Sequence, residues 1–332
     1  MIAAYQKRCQ TRVDTALETL FQAPRTELER LYQAMRYSVM NGGKRVRPTL
    51  VLLAAQLGDP TRQQVIDASV VVELTHLATL YHDDVMDEAP LRRGVPSAHE
   101  VWGNSVAILT GDLLFSRAST LMTRLGEKAM LLQAETFERL CLGQLHETIG
   151  PRPDEDPVSH YIQVLADKTG SLISAAARCG IVYSGAPLEY EDAMVEFGDK
   201  IGVAFQLANF IRDVGEDLER GRVYLPLQEL AEHGVTRQML EARQLTPEIV
   251  SALKFQIARV RQLQNAAEPG IALLDKTSQP CIRAASELYC GIVDEVEKIG
   301  YDIFNKRAKT STARRARVAF AAYISAVAAR LR

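Results

Sequence analysis

The stretch from His76 to Gly94, HLATLYHDDVMDEAPLRRG, constrains this chain more than any other. Three carboxylates, Asp83, Asp84 and Asp87, sit inside an otherwise apolar helical run, and Arg92 and Arg93 follow. His76, Leu80, Asp83 or Asp84, and Asp87 recur three or four apart, which puts them on one face of a helix. Leu77, Leu80, Val85 and Met86 frame that face, so it turns toward a core. Burying three acids there is costly unless something cationic neutralises them. Magnesium suits the task, because it binds through one or two carboxylates and completes its octahedron with water and phosphate oxygens. The arginines suit the same ligand, since a guanidinium fork matches phosphate geometry. The alternative is a solvated acidic face; the apolar frame and the RRG tripeptide weigh against it. The stretch predicts a site for a diphosphate and its metal ions.

The 332 residues can hold one large domain or two ordinary ones. A hydrophobic fraction of 47% is globular, and a net charge of −2 argues against a nucleic-acid partner. There is no apolar run long enough to span a bilayer, and the charged first twenty residues lack the apolar middle of a signal peptide. The five cysteines are scattered with no CxxC pair, as expected of reduced thiols in a cytoplasmic protein. The six histidines do not pair at metal-ligand spacing, so no zinc site is expected.

Nearly every segment has helical periodicity and none alternates like a strand, so the expectation is one continuous all-α domain. The first helix should end near Phe21–Pro24, and a capping box of Thr26 and Glu29 should start the next, to about Met40. Asn41-Gly42-Gly43 stops it. Lys44-Arg45-Val46-Arg47-Pro48 follows, three cations beside a flexible glycine pair: a close-approach anion site or a solvated basic loop. The helix bearing the three acids is expected over about 62–88, with Pro90 to Pro96 as a loop. Asp156 and Pro157 suit the N-cap and first position of a later helix, as do Thr246 and Pro247. Lys168-Thr169-Gly170, at a helix junction, offers diphosphate donors or an ordinary C-cap. A long helix from about Leu188 carries FQLANFIRDVGEDLERGRVYLP at 205–226. Gln206, Asn209 or Phe210, Asp213 and Asp217 share one face of it, with Glu216 beside them. Two acid-bearing helices facing one another across a bundle would give a pocket with opposed carboxylate rims. The last stretch, from Lys306, is basic without an acid; a solvated end helix is the plainer reading, with contact to an anionic membrane surface as the other.

From about Arg25 to Gln206 the chain resembles the trans-polyprenyl diphosphate synthases. The resemblance rests on GGKRVRP at 42–48, the stretch at 76–94, GQLHE at 143–147, ADKTGSL at 166–172 and GVAFQL at 202–207. It implies the isoprenoid synthase fold, an antiparallel helical bundle around a central cavity with two aspartate-rich motifs at its mouth. It also implies a Mg2+-dependent prenyltransferase, expected with three ions per site and as a homodimer. Asp83, Asp84 and Asp87 would coordinate magnesium on the allylic prenyl diphosphate, and Arg92 would hold the same diphosphate. Lys44, Arg47, His76 and Arg93 match positions that bind isopentenyl diphosphate. Lys168 and Thr169 match a pair lying along the allylic diphosphate, and Gln206 matches the glutamine before the second motif.

There the pattern departs. The family continues FQxxDDxxD, whereas this chain has Asn209-Phe210 in place of the paired aspartates and keeps Asp213. From Gln206 onward the chain resembles the phytoene and squalene synthases, including GYDIFNKRA at 300–308, as if two families met near Gln206. In that second family Asp213 and Asp217 would be metal ligands. The four isopentenyl-site residues favour head-to-tail elongation. The alternatives are head-to-head condensation, or a catalytically dead partner subunit of another synthase. Ala78 and Thr79, one turn below Asp83, are expected to leave room for a product longer than farnesyl.

Overall fold

The computed structural model describes residues 2–21, 29–43 and 45–330, so Lys44 and Thr26 lie outside the described residues. It is 77% helical with almost no strand, as the periodicity predicts. The chain forms two compact units, one built from residues 3–137 and 175–191, the other from 138–174 and 192–332.

The first unit runs through α1 (Ile2–Leu20), α2 (Glu29–Met40), α3 (Val46–Ala54), α4 (Gln63–Met86), α5 (Ala98–Trp102), α6 (Asn104–Met122) and the first half of α7 (Glu127–Ile149). The acid-bearing stretch falls on α4. Val65, Ile66, Val70, Val71, Val72, Leu74, Leu77, Ala78 and Tyr81 are all buried, so α4 is apolar nearly all round and packs between α3 and α6. Each large aliphatic side chain so buried is worth about 1.5–3 kcal/mol. That apolar shaft holds the acids at its C-terminal end in fixed positions. Between α4 and α5 the expected loop contains a two-residue antiparallel ladder, Leu91–Arg92 (β1) with Val95–Pro96 (β2). Pairs this short bury too little to leave an alternating signature, which is why the sequence reads as a loop there.

The second unit contains the rest of α7, α8 (Pro157–Leu165), a π-helical turn (Ala166–Gly170), the start of α9 (Ser171–Ser184) and α10 (Glu191–Glu219). It continues with α11 (Leu227–Glu232), α12 (Arg237–Glu241), α13 (Pro247–Ala266), α14 (Glu268–Leu273), α15 (Gln279–Cys290), α16 (Ile292–Lys298) and α17 (Thr312–Arg330). The caps are as the sequence predicts: Asp156 accepts from Ser159 N at 2.8 Å ahead of Pro157, and Thr246 accepts from Ile249 N ahead of Pro247. The long second-motif helix begins at Glu191 rather than Leu188, after a single 3-10 turn. Gln206, where the resemblance changes, lies in the middle of α10, and the helix passes through it unbroken.

Candidate active site

In the first unit, the chain leaves α2 at Asn41 and turns through Gly42 (φ 87°), Gly43 (φ 143°) and Arg45 (φ 48°) into α3. This turn swings the Arg45 guanidinium inward. Its Nε donates to Asp14 Oδ1 at 3.0 Å, Nη1 to Glu73 Oε1 at 2.9 Å, and Nη2 to the Val39 carbonyl at 3.2 Å. Arg45 is therefore committed to the fold. Burial pushes the Glu73 carboxyl up, and Arg45 is the first of the arginines that oppose the shift.

The β1–β2 hairpin brings two more guanidinia to the same place. Arg92 donates to Asp84 Oδ1 through Nε at 2.7 Å and also through Nη2, and Asp84 is only 4% exposed. Arg93, in the left-handed region at φ 56°, donates through Nη1 to the Gly42 carbonyl. A β-carbon on Gly43 would stand 2.5 Å from Arg45 Nη1 and 2.8 Å from Arg93 Nη1, so only glycine lets the two guanidinia close on this turn. Tyr37 fixes the hairpin from α2, donating to the Pro96 carbonyl at 2.8 Å while meeting Trp102 edge-on at 4.9 Å.

These groups border a small open cleft lined by Tyr37, Asn41, Leu80, Asp84, Arg92, Arg93, Val95, Ser97 and Ala98. The Nδ2 of Asn41 is buried and makes no hydrogen bond. His76 lies half-buried on α4. Desolvation, then Arg47, Arg93, Arg92 and Arg45, hold its pKa well below the ordinary value, so its imidazole is neutral. Desolvation and Arg45 likewise push Arg93 down. Two of these arginines are answered by acids, Arg45 by Asp14 and Glu73 and Arg92 by Asp84. The gathered guanidinia still give this turn a positive potential that suits an anion.

Asp83 occupies the last turn of α4 and Asp87 is its C-cap, with Asp87 N donating to Asp83 O at 2.8 Å; both side chains are half-buried. Among the described residues, no group of three or more His, Cys, Asp or Glu side chains stands ready-made to hold a metal ion. The donor set itself fits a hard divalent cation: three carboxylates within five residues, all oxygen, at the edge of a cationic cleft. Ala78 is wholly buried in α4, and Thr79 donates to the His76 carbonyl at 2.9 Å.

The second unit gathers the remaining residues on the π-helical turn, a kind of irregularity often found at functional sites. Two glycines let neighbouring helices press against it. A β-carbon on Gly143 of α7 would lie 2.7 Å from Lys168 N, and one on Gly202 of α10 would lie 2.5 Å from Gly170 Cα. Lys168 Nζ donates to Glu147 Oε2, while the other oxygen of Glu147 is buried without a hydrogen bond. Thr169 donates to Gln206 Oε1 at 3.1 Å, which joins the lysine-threonine pair to α10. Below them Asp167 accepts from Arg139 at 2.7 Å and Gln163 at 3.0 Å.

Further along α10, Asp213 is already paired. Arg212 donates to it through Nε at 2.7 Å and through Nη2, and Arg307 at 3.2 Å. Arg307 also reaches Glu216 at 3.0 Å, so the segment GYDIFNKRA closes over the acids of α10. Asp217 is pushed up to about 6 by burial and by Asp213. Phe210, standing where the first family has an aspartate, stacks on Tyr224 at 4.6 Å and 3° and is buried. An aromatic stack there takes the place of a carboxylate.

Sequence reasoning missed the roles of Tyr37, Asn41, Ser97, Glu73 and Glu147. Only Glu147 carried a signal, its place in GQLHE one helical turn past Gly143.

The sequence pattern of one family, described as Polyprenyl synthetase, matches residues 28–250, and so runs past Gln206. A nonaprenyl diphosphate synthase of Mycobacterium tuberculosis is 45% identical over 223 residues, 65% of this chain and 66% of that protein. A geranylgeranyl diphosphate synthase of Methanosarcina mazei is 35% identical over 246 residues, 69% of this chain and 75% of that protein. The solved geranylgeranyl pyrophosphate synthase of Corynebacterium glutamicum superposes with a TM-score of 0.69 at 31% identity, over 93% of this chain and 95% of that one.

Proposed function

The chain belongs to the polyprenyl synthetase family, and on that premise we propose that it elongates an allylic prenyl diphosphate with isopentenyl diphosphate. The single observation that supports this choice is the gathering of Arg47, Arg93, Arg92 and Arg45 around His76, where the resemblance puts the isopentenyl diphosphate. Lys44, Arg47, His76 and Arg93 bind isopentenyl diphosphate in this reading. His76 serves as a neutral donor, so it adds no further repulsion among the arginines. Arg92 holds the allylic diphosphate, while Lys168 and Thr169 lie along it with Gln206 orienting Thr169 through their hydrogen bond.

Asp83, Asp84 and Asp87 are the first metal-ligand set and Asp213 and Asp217 the second, for Mg2+ in three ions. Bound magnesium supplies positive charge that stabilises the departing diphosphate. The allylic carbon–oxygen bond breaks, the isopentenyl double bond attacks the resulting cation, and a proton is lost to form the new double bond. Arg92 takes up charge on the leaving group, and Arg93 fixes the acceptor diphosphate so that its double bond faces the cation. Arg307 on Asp213 and Glu216 supports a second metal set weaker than the paired aspartates of the first family. Ala78 and Thr79 are the floor beneath the growing tail.

The two units are read as one synthase domain, supported by a solved relative that covers 93% of the chain. A cytoplasmic homodimer belongs to the same reading. Among the described residues, no helix is long and apolar enough to cross a membrane.

The test is release of inorganic diphosphate with magnesium, isopentenyl diphosphate and farnesyl diphosphate supplied together and singly. Release that requires both substrates supports elongation. Release from farnesyl diphosphate alone would mean head-to-head condensation, and no release with weak binding of both would mean a non-catalytic subunit.

A further inference from the structure

From Ile303 to the last residue the sequence contains eight arginines and lysines and no acid. Among the described side chains the structure divides six of these cations into two groups. Arg307 is spent on Asp213 and Glu216, and Arg314 on Asp294 at 2.6 Å and Glu295 at 2.9 Å. Lys306, Lys309, Arg315 and Arg317 are exposed. Helix α17 has two faces to match. Val318, Ala322 and Ala326, spaced by four, are buried, and the helix packs on α15. The opposite face presents Phe320 at 67% exposure, Ile324 at 49% and Tyr323 at 40%. Three large apolar side chains within five residues are thus uncovered, with the Arg317 guanidinium one turn before Phe320.

We propose that this outer face of α17 docks on an anionic lipid bilayer, with Phe320, Tyr323 and Ile324 entering the headgroup–acyl boundary and Lys306, Lys309, Arg315 and Arg317 meeting lipid phosphates. An apolar strip with an aromatic at its edge and cations alongside is the chemistry of a helix lying in the interface plane. The charge pattern decides between a bilayer and a second copy of this chain. A two-fold contact through this face would bring together two helices that carry Arg315 and Arg317 and have no acid to answer them. A bilayer of negative headgroups answers them all. The inference stands on the surface alone and does not depend on which reaction the cleft performs; a prenyl product would leave directly into the phase that dissolves it.

The experiment is flotation of the full chain with phosphatidylcholine vesicles, with and without phosphatidylglycerol. The protein should float with the phosphatidylglycerol vesicles at low salt, and rising ionic strength should release it. Phe320→Ser with Ile324→Ser, and separately Arg315→Glu with Arg317→Glu, should each lower the bound fraction several-fold. Diphosphate release from soluble short substrates should stay at the unsubstituted chain's rate in both variants. If the apolar pair lowers the melting temperature, the arginine pair carries the test, because its side chains are on the surface. Equal flotation with neutral and anionic vesicles, unchanged binding in the arginine variant, or a fall in oligomeric state of the apolar variant would each overturn the proposal.

Discussion

Arg92 holds one oxygen of Asp84 with two of its nitrogens, Nε at 2.7 Å and Nη2, and Asp84 has almost no other access to solvent. The pair ties the hairpin to the end of α4. It also makes Arg92 a group whose charge is partly answered before any substrate arrives, so a diphosphate there must share the guanidinium with Asp84. Arg92→Ala leaves a buried carboxylate without its donor and should cost about 1–3 kcal/mol of stability. It should also lower kcat by about 10²–10³, the worth of one preorganised charge on a leaving group. Arg92→Lys should recover the stability in part and little of the rate, since an ammonium cannot reproduce the fork. Denaturant melts and steady-state kinetics on the two variants separate these effects.

Gly43 carries a different prediction. Its position between Arg45 and Arg93 leaves no space for a β-carbon, and its φ of 143° is one that other residues avoid. Gly43→Ala should push the Arg93 guanidinium away from the cleft. The expected loss is about 10²-fold in kcat/KM for isopentenyl diphosphate, with the KM for the allylic substrate nearly unchanged. An equal rise in both KM values would mean that the whole hairpin had moved.

His76 ties the site to pH. Its pKa in the folded chain lies well below the ordinary 6.5 because of desolvation and four arginines. Below pH 6.5 the unfolded chain takes up a proton at this imidazole that the folded chain refuses. Stability from the neutral ring is therefore full above that pH and drains away as pH falls toward the folded value. Thermal melts from pH 8 to pH 5 should show a steeper acid-side decline for the unsubstituted chain than for His76→Gln. Parallel curves would mean that the imidazole is not desolvated as described.

The hydrogen bond from Thr169 to Gln206 gives the mildest of these tests. Thr169→Val keeps the shape and removes the donor, a loss of about 1 kcal/mol or roughly fivefold in rate. Gln206→Ala should produce the same loss, and the double variant should add little to either, because both remove one interaction. Additive losses in a double-mutant cycle would show that the two side chains act separately.

What could be read from the sequence was what is local or periodic. The acid face of α4 follows from spacing by three and four, and the starts of α8 and α13 follow from Asp156-Pro157 and Thr246-Pro247. Which of several neighbouring cations turns inward was not readable. Arg45 rather than Arg47 is locked to Glu73 because a left-handed backbone at residue 45 aims it there, and no periodicity encodes that. Tyr37 and Asn41, one turn apart, share a cleft with Ser97 from a segment far along the chain, each with an ordinary local context. The aromatic stack of Phe210 on Tyr224 occupies one of the two positions where the resemblance leads one to expect paired aspartates.

The most direct test of elongation is the mass of the products formed from farnesyl diphosphate, isopentenyl diphosphate and magnesium. Elongation gives a ladder of prenyl diphosphates, each longer than the last by one isopentenyl unit and each still carrying its diphosphate. A single hydrocarbon without diphosphate, built from two farnesyl groups and no isopentenyl carbon, would contradict it.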